Sequence, residues 1–370
     1  WIEEAEEVGE VAVDTETTSL DPHQADLVGI SLCSKIGKAC YIPVGHKSPK
    51  CLKKEAVIKK LKKILEDPSI KKIGQNIKFD FIVFYKCGIT LSSMEDTMLM
   101  SYVLHAGKNR HNMDTLSQIH LEHKPISYKE IVGVGKKQIS FDEVEINKAK
   151  DYAAEDADIT YRLFKKFFKN LKAEKLTNIY EIFEKPLIKI LSLMEIEGIK
   201  INEGFLKKLS EKFQNKIDKL EKDIFKISKK NFKIGSTKQL GEIMYNELKI
   251  STLKKTKKGS FATSASVLED LAFKGHLLPK YVLEWRQLSK LKNTYSDTLP
   301  EHINPKTNRV HTSFLLAATS TGRLASSDPN LQNIPIKTSD GNDIRKAFVA
   351  EKNKSLISAD YNQIEMRILS

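Results

Sequence analysis

The stretch VAVDTETTSL at residues 11–20 places two acids, Asp14 and Glu16, at the end of an apolar run. In an extended strand alternate side chains share a face, so these carboxylates are expected to lie a few ångströms apart. Like charges at that spacing repel each other unless a cation lies between them. A strand end that frays into the following turn would instead leave both acids in water, and the pair alone does not decide between the two interpretations.

The residues around this stretch predict alternating strands and helices. Strands are predicted at 8–17, 25–34, 37–44 and 71–76, and helices at 54–66, 77–87 and 147–172. Glycine and Asp-Pro pairs separate the strands, and the helical segments repeat apolar residues every three or four positions. This alternation predicts an α/β layer.

Length and composition are typical of a globular protein with two or three domains. Of 370 residues, 40% are apolar, and the longest apolar candidate, FDFIVFY at 79–85, is too short to span a membrane. The chain begins with Trp1 and has no basic, apolar leader, so we expect an excised fragment without a signal peptide. Four cysteines without CxxC spacing favour a reducing cytoplasm over a zinc site or a disulfide framework.

The net charge of +13 lies mostly in the second half, where residues 181–370 hold 33 basic and 22 acidic residues. Such an excess suits a polyanionic partner, of which nucleic acid is the commonest, although lysine-rich helix faces also keep proteins soluble.

Two further acidic clusters lie on predicted helices. Asp80 interrupts an apolar helix, and Asn76, one turn before it, could cap that helix. In DYAAEDAD, Tyr152 and Asp156 lie one turn apart, while Asp158 can pair with Arg162. Each cluster alone is a weak signal, although Asp80 is harder to explain structurally on so apolar a helix. Together the carboxylates form the kind of set that binds two divalent cations for phosphodiester hydrolysis. Carboxylate oxygens favour Mg²⁺ or Mn²⁺.

The chain changes character after residue 182. From Phe205 onward apolar residues alternate in threes and fours, which predicts a long helix packed in a helical pair or, alternatively, in a dimerising coiled coil. The basic segment at 253–264 predicts an exposed turn. SLISAD at 355–360 predicts a strand leading into a helix, with Asp360 and Gln363 as a capping box.

Three of these motifs, in order, resemble the proofreading 3′–5′ exonuclease domain of family A DNA polymerases of the bacterial DNA polymerase I type, in the DEDD group with tyrosine. They are VDTETTSLD at 13–21, GQNIKFD at 74–80 and YAAEDADIT at 152–160. The resemblance continues through the segments that look like the start of the polymerase domain, its thumb and its first palm motifs. Those segments lie at 185–202, 278–300, 319–336 and 356–369.

The resemblance implies an α/β fold with an RNase H-like exonuclease domain, a mixed central sheet flanked by helices, at residues 1–182. It places the N-terminal part of a family A polymerase domain at 183–370, with a mainly helical thumb at about 200–300 and an incomplete palm at about 305–370. It also implies bacterial origin and a cytoplasmic, nucleoid-associated monomer without membrane contact.

For the exonuclease domain, the resemblance implies that Asp14, Glu16 and Asp156 hold one metal ion and that Asp14 and Asp80 serve a second, as Mg²⁺ or Mn²⁺. Tyr152 and Glu16 would orient the attacking water. Leu20 and Asn76 match positions that contact the frayed 3′ end of DNA. The signature acids are all present, which predicts an active nuclease.

For the polymerase part, the resemblance assigns contacts to the primer-template duplex and to the incoming nucleotide. DNA contacts are implied for Lys254, Lys255, Lys257, Lys258, Arg286, Lys290, Arg323, Asn330 and Gln332. Asp360 would be a metal ligand in the nucleotide site, with Glu365 beside the sugar. Lys337 stands where many relatives carry arginine. Because one aspartate cannot clamp two metals, we expect no polymerisation by this chain.

The predicted function is therefore metal-dependent removal of nucleotides from DNA 3′ ends, as proofreading within a DNA polymerase of replication and repair. One alternative is an RNase D-like or repair exonuclease, against which the thumb-like and palm-like segments argue. Another is a noncatalytic nucleic-acid-binding module, which the intact acid set disfavours. An ATPase is not supported, because GVGKKQ at 133–138 lacks the upstream glycine and the Ser or Thr of a phosphate-binding loop.

Overall fold

The structure is a computed structural model that describes residues 1–250, 261–336 and 338–370. Its strands are β1 Glu10–Thr17, β2 Leu27–Lys35, β3 Lys38–Pro43, β4 Lys71–Gly74, β5 Met94–Asp96, β6 Ile303–Asn304, β7 Arg309–Val310, β8 Ser313–Leu315 and β9 Ala325–Ser327. Its helices are α1 Ile2–Val8, α2 Lys54–Glu66, α3 Ile77–Lys86, α4 Thr97–His105, α5 Met113–Leu121, α6 Tyr128–Val132, α7 Ile146–Ala173, α8 Thr177–Ile179, α9 Lys185–Glu197, α10 Glu203–Ser228, α11 Thr237–Gly241, α12 Ala265–Phe273, α13 Leu277–Leu291, α14 Ser339–Arg345 and α15 Ile364–Leu369.

A mixed sheet with the strand order β3-β2-β1-β4-β5 forms the centre of the N-terminal part. Strand β1 pairs antiparallel with β2 and parallel with β4, so it lies in the middle of the sheet. All but the last residue of β2 are buried, as expected for a strand whose two faces are both covered. The predicted α/β fold class, with helices packed on a mixed sheet, is confirmed.

Helix α7 packs against β1, β2 and β3, and its sequence explains how closely it can approach them. Its first half presents three fully buried alanines, Ala149, Ala153 and Ala157, at a spacing of four residues. Small side chains at this spacing let the helix backbone approach the sheet, whereas the later Phe164 and Phe167 fill the core beneath its second half. The predicted helix at 147–172 therefore matches the structure closely.

The chain divides into two compact units. The first comprises Trp1–Gly198 together with His311–Gln332, and the second comprises Ile199–Val310 together with Asn333–Ser370. The first unit thus takes in a segment that the sequence analysis assigned to the palm, and the hairpin of β8 and β9 lies in this segment. The domain limits drawn from the sequence, with a boundary at residue 182, stay a prediction.

In the second unit, α10 packs against α13, and α12 also packs against α13. Leu206, Leu209, Phe213, Ile217 and Ile224 are buried along one stripe of α10, as the three-and-four spacing predicts. The apolar face of α10 is therefore covered from within the chain, which agrees with the helical-pair interpretation.

The strand predicted at 355–360 is wrong, because the structure has no regular element there. Ile357 is 91% exposed, and within the described residues no strand pairs with this segment, so its apolar residues are not buried in a sheet. The predicted capping box is also wrong. Gln363, the residue before α15, has a left-handed backbone conformation, and no side chain that the structure describes caps this helix. Asp360 therefore has no capping role.

Among the described residues, no helix combines the length and the apolar character that crossing a bilayer requires.

Lys72 is an unusual core residue of β4, because its side chain is fully buried. Its ammonium group donates hydrogen bonds to the carbonyl oxygens of Asp67 and Ile70, each at 2.6 Å, and to the hydroxyl of Ser92 at 3.1 Å. Burial lowers the pKa of Lys72 to about 8, although Asp67 acts in the opposite direction. The folded state therefore binds this proton less tightly than the unfolded chain does.

We expect Lys72 to make the folded state more stable as the pH rises from about 8 to the ordinary lysine pKa near 10.5. In this window the unfolded chain holds more protons than the folded one, and the free energy of unfolding rises with pH. Urea unfolding of the wild type and of Lys72→Met at several pH values measures the effect. The wild type should gain stability relative to the variant across the window, and parallel pH profiles would contradict the assignment.

Candidate active site

Two acids of the central strand meet a third acid from α7. Asp14 pairs with Ser31 and Glu16 with Gly29 across β1 and β2. Asp156 comes from the part of α7 that crosses the sheet. One carboxylate oxygen each of Asp14, Glu16 and Asp156 lies within 4.8 Å of the other two. We call these three residues the carboxylate cluster.

The cluster is not a frayed strand end. Glu16 is 7% exposed and Asp156 is 8% exposed, while β1 stays paired with β2 as far as Thr17. The alternative that leaves these acids solvated in a turn is therefore wrong. Tertiary packing forces the side chains together, although they carry like charges.

Burial raises the pKa of each cluster carboxyl group. The pKa of Asp14 rises to about 6. Burial also raises the pKa of Glu16, and the neighbouring Asp14 and Asp156 raise it further. The pKa of Asp156 rises through burial and the charge of Asp14, while a hydrogen bond from Tyr152 opposes the shift. Buried anions this close together are unfavourable by themselves, and their oxygen donors fit a hard divalent cation.

Glycine opposite Glu16 leaves room for an aromatic side chain. A Cβ atom at Gly29 would lie 2.0 Å from the hydroxyl oxygen of Tyr41. That hydroxyl is 2.7 Å from Nε2 of His46. Any larger residue at position 29 would therefore displace Tyr41 from the neighbourhood of Glu16.

Asp80 joins the site from α3 through Thr15, the residue between the two acids of β1. Its Oδ1 atom accepts hydrogen bonds from the backbone N–H of Thr15 at 2.9 Å and from the Thr15 hydroxyl at 2.5 Å. Asp80 is 2% exposed, and burial and the charge of Asp14 raise its pKa, whereas both bonds from Thr15 lower it. Asp80 thus lies beside the carboxylate cluster but is not one of its three members.

Tyr152 is held on two sides. Its hydroxyl hydrogen-bonds to Asp156, one turn later on α7. Its ring lies 6.2 Å from that of Tyr128 and 6.1 Å from that of Phe141, measured between centroids. Burial, followed by the charges of Asp156 and Glu16, raises the pKa of Tyr152 far above the ordinary tyrosine value, so the phenol stays protonated.

Asn76 precedes α3 in a left-handed conformation, with φ of 61°, and its side chain caps nothing. The capping role considered from the sequence is therefore wrong. Asp96 does that work instead, because its carboxylate accepts the backbone N–H groups of Asn76 at 3.1 Å and Ile77 at 3.0 Å. The same carboxylate also caps α4 through Met98, at 2.8 Å. Asp96 directly precedes the apolar segment that forms α4, and the sequence analysis did not use this N-cap signal.

A cavity of about 640 Å³ in the first unit has Asn76 in its lining. The lining also includes Lys78, Met98 and residues 109–112, together with the continuous segment 313–320. We call this segment of the lining the 313–320 wall. Lys78 and Arg110 line the cavity, and the sequence analysis missed both of them. Leu20, predicted to contact a DNA end, is 86% exposed.

The structure does not bring the other predicted residues into this cluster. Arg323, Asn330 and Gln332 are exposed members of the first unit. Their hydrogen bonds are local, because Asn330 accepts from the Gln332 amide at 3.0 Å and the Gln332 side chain donates to Leu324 at 3.0 Å.

In the second unit, the Arg286 guanidinium donates to the carbonyl oxygen of Thr263 at 2.6 Å, whereas Lys290 is exposed. Asp360 and Glu365 are exposed and belong to no cluster of metal-ligating side chains in the described part of the chain. Lys254, Lys255, Lys257, Lys258 and Lys337 lie outside the described residues.

Comparison with known proteins gives two family matches along the chain. Residues 1–172 match the sequence profile of a 3′-5′ exonuclease, and residues 203–370 match that of DNA polymerase family A. The two profiles follow each other in the order that the sequence motifs predict.

Curated relatives and a solved structure agree with these profiles. DNA polymerase I of Rhizobium leguminosarum is 46% identical over all of this chain and 38% of its own length, and that of Pseudomonas aeruginosa is 43% identical over all of this chain and 41% of its own. The chain thus spans about two fifths of these relatives. The polymerase domain of Pol1 from M. smegmatis, solved in complex with DNA primer-template and dNTP, is 27% identical with a TM-score of 0.83, over 100% of this chain and 60% of the other.

The predicted family is therefore confirmed, since both halves of the chain match in order and the relatives align along its whole length. The chain belongs to DNA polymerase family A and carries a 3′-5′ exonuclease domain ahead of its polymerase-family segment.

Proposed function

We propose that the first compact unit hydrolyses single-stranded DNA from its 3′ end and so removes misincorporated nucleotides for the polymerase to which it belongs. The carboxylate cluster is the observation that supports this function most strongly. Glu16 and Asp156 are buried and Asp14 is partly buried, so holding their like charges together is unfavourable unless a cation lies between them.

The residues present fit two divalent cations, Mg²⁺ or Mn²⁺. Asp14, Glu16 and Asp156 would hold one, and Asp14 with Asp80 would hold the other. When bound, such cations lower the pKa of water and stabilise negative charge on phosphate oxygens. The raised pKa values of the cluster carboxyl groups agree with a site that is completed by positive charge.

The protein's own residues would prepare the attack. Glu16 can accept the proton of a water molecule, and the oxygen of the protonated Tyr152 can accept a hydrogen bond that orients the same water. The water oxygen then forms a bond to the terminal phosphorus while the bond from phosphorus to the 3′ oxygen breaks. The products are a nucleoside 5′-monophosphate and a strand that is shorter by one nucleotide.

The strand would enter through the 640 Å³ cavity. Asn76, which lines the cavity, directly precedes α3 and lies one turn before Asp80, a proposed cation ligand. Among the lining residues, the exposed Arg110 offers a cation to phosphates, and the 313–320 wall offers a further contact surface. Such contacts are indifferent to sequence, as removal of any mismatched nucleotide requires.

Replacing the shared acid should abolish hydrolysis. In Asp14→Ala both proposed cation positions lose a ligand, so we expect the rate of shortening of a 5′-labelled single strand in Mg²⁺ to fall by about 1000-fold or more. Glu130→Ala, an exposed acid on α6, is the matched control and should keep the wild-type rate. Full activity of Asp14→Ala, or of the wild type in excess chelator, would rule out the mechanism.

The Thr15 hydroxyl should affect the rate of hydrolysis although it does not contact the substrate. Thr15→Val keeps the shape but removes the 2.5 Å hydrogen bond to Asp80, so we expect the rate to fall by about 10- to 100-fold. The Mg²⁺ concentration for half-maximal activity should rise as well. Thr15→Ser retains the hydroxyl and should behave nearly as the wild type does. Equal activity and metal dependence in Thr15→Val would show that Asp80 needs no such support.

We also propose that the second unit binds the backbone of duplex DNA. The excess of basic over acidic residues after position 180 and the relative solved with DNA primer-template support this. Lys290 is exposed on α13, whereas the hydrogen bond from Arg286 to Thr263 holds its guanidinium within the fold. Lys254, Lys255, Lys257 and Lys258 are the further cations assigned to this contact, and Asp360 and Glu365 stay assigned to the nucleotide site.

Duplex affinity of the whole chain should fall as salt rises. Lys290→Gln should reduce the slope of log affinity against log salt by about one unit if Lys290 contacts one phosphate. Lys212→Gln is the matched control, because Lys212 already pairs with Asp343 at 2.8 Å and should change the slope less. Fluorescence anisotropy of a labelled duplex measures both slopes. A salt-independent affinity would reject backbone binding altogether.

A further inference from the structure

A buried ion pair joins three separate parts of the first unit. Oε1 of Glu195, on α9, lies 2.5 Å from the ammonium of Lys78, on α3. The same oxygen accepts the backbone N–H of Phe314, in β8, at 2.5 Å. The Glu195 and Lys78 side chains are 1% and 7% exposed. The contact therefore links helix α3 to the 313–320 wall through a residue that follows the predicted exonuclease domain.

Further contacts hold residues 311–314 against the same two helices and against a loop. The Lys78 ammonium also lies 3.5 Å from the Ser313 hydroxyl. His311 donates from Nδ1 to the carbonyl oxygen of Glu195 at 2.7 Å and stacks on His23 with 4.5 Å between ring centroids. Residues 311–314 are thus held by α9, by α3 and by the loop that follows β1. Residues 313 and 314 belong to the 313–320 wall, and residues 311 and 312 directly precede it.

The cost of this arrangement indicates that it has a role beyond stability. The second carboxylate oxygen of Glu195 is buried and has no hydrogen-bond partner among the residues that the structure describes. A buried ion pair with an unsatisfied oxygen is often no more stable than apolar residues of the same size. Two apolar side chains would fill this space, but they could not hold the Phe314 amide at a fixed distance from α3.

We propose that Glu195 is a positioning residue that sets the distance between helix α3 and the 313–320 wall, and so determines how tightly the cavity holds the 3′ end of a strand. Glu195 does not line the cavity and is not one of the clustered acids. It acts through Lys78 and Phe314, both of which do line the cavity. The substrate in this inference rests on the proposed exonuclease function. The role of Glu195 in positioning the 313–320 wall does not depend on that function.

The chain offers a matched control. Glu95, on β5, is also a buried carboxylate, with a side chain that is 2% exposed, and it pairs with Lys185 of α9 at 2.6 Å. Its side chain accepts hydrogen bonds from Lys185 and Tyr180, and within the described part of the chain none comes from residues 311–332. Glu95→Gln therefore disturbs a buried pair on the same helix without touching the wall.

The test compares Glu195→Gln with Glu95→Gln in two assays with Mg²⁺. For a single-stranded oligonucleotide we expect Glu195→Gln to raise KM by about tenfold or more, since small displacements at a binding wall weaken binding strongly. For the p-nitrophenyl ester of thymidine 5′-monophosphate, which is too small to need the wall, turnover should stay near the wild-type value. Glu95→Gln should leave both substrates unaffected. An unchanged oligonucleotide KM in Glu195→Gln would overturn the proposal.

Hydrogen exchange tests the positioning without any activity. The Phe314 amide and its neighbours at 313–320 should exchange faster in Glu195→Gln than in the wild type, and at the wild-type rate in Glu95→Gln. If Glu195→Gln does not fold, Glu195→Asp keeps the charge beside Lys78 but is too short to hold Phe314 as well, and it should give the same two results. Unchanged exchange at 313–320 would overturn the proposal. Failure of the wild type to hydrolyse the small ester would reject the exonuclease function alone.

Discussion

Electrostatic repulsion among Asp14, Glu16 and Asp156 is the constraint around which the first unit is organised. The strand β1 presents two carboxylates on one face, and α7 brings a third within 4.8 Å of both. Alanines at every fourth position of α7 permit this approach, because larger side chains would hold the helix further from the sheet. The fold therefore supplies the packing energy that keeps three anions together, and the anions in turn provide a site that only positive charge completes.

Much of the remaining architecture positions groups around that cluster. Thr15 uses its backbone and its hydroxyl to hold Asp80, and Asp96 uses one carboxylate to cap both α3 and α4. The start of α3, which carries Asn76, is therefore fixed by residues from β1 and β5. Glu195 likewise accepts the backbone N–H of Phe314, a residue of the 313–320 wall. In each case a buried carboxylate accepts backbone N–H groups, and hydrogen bonds to an ionised carboxylate are stronger than those between neutral groups.

The sequence was sufficient for the local elements and for the types of residue in the site. The bounds of α2, at Lys54–Glu66, match the predicted helix, and α7 and β1 differ from theirs by a few residues, since apolar periodicity reports which face is buried. It was not sufficient at 355–360, where a strand-like pattern has no neighbour to pair with among the described residues. A strand depends on partners elsewhere in the chain, whereas a helix satisfies its own hydrogen bonds.

The amino-acid sequence by itself determined the family, the α/β layer and the identity of the clustered acids, because those features are written in short motifs and in local spacing. The tertiary structure alone decided which acids come closest, that Asp80 is held through Thr15, and that residues 313–320 form a wall of the cavity. It also decided that Lys78 pairs with Glu195, which lies 117 positions further along the chain. Contacts of this kind join residues that are remote in sequence, and no periodicity records the path by which the chain brings them together.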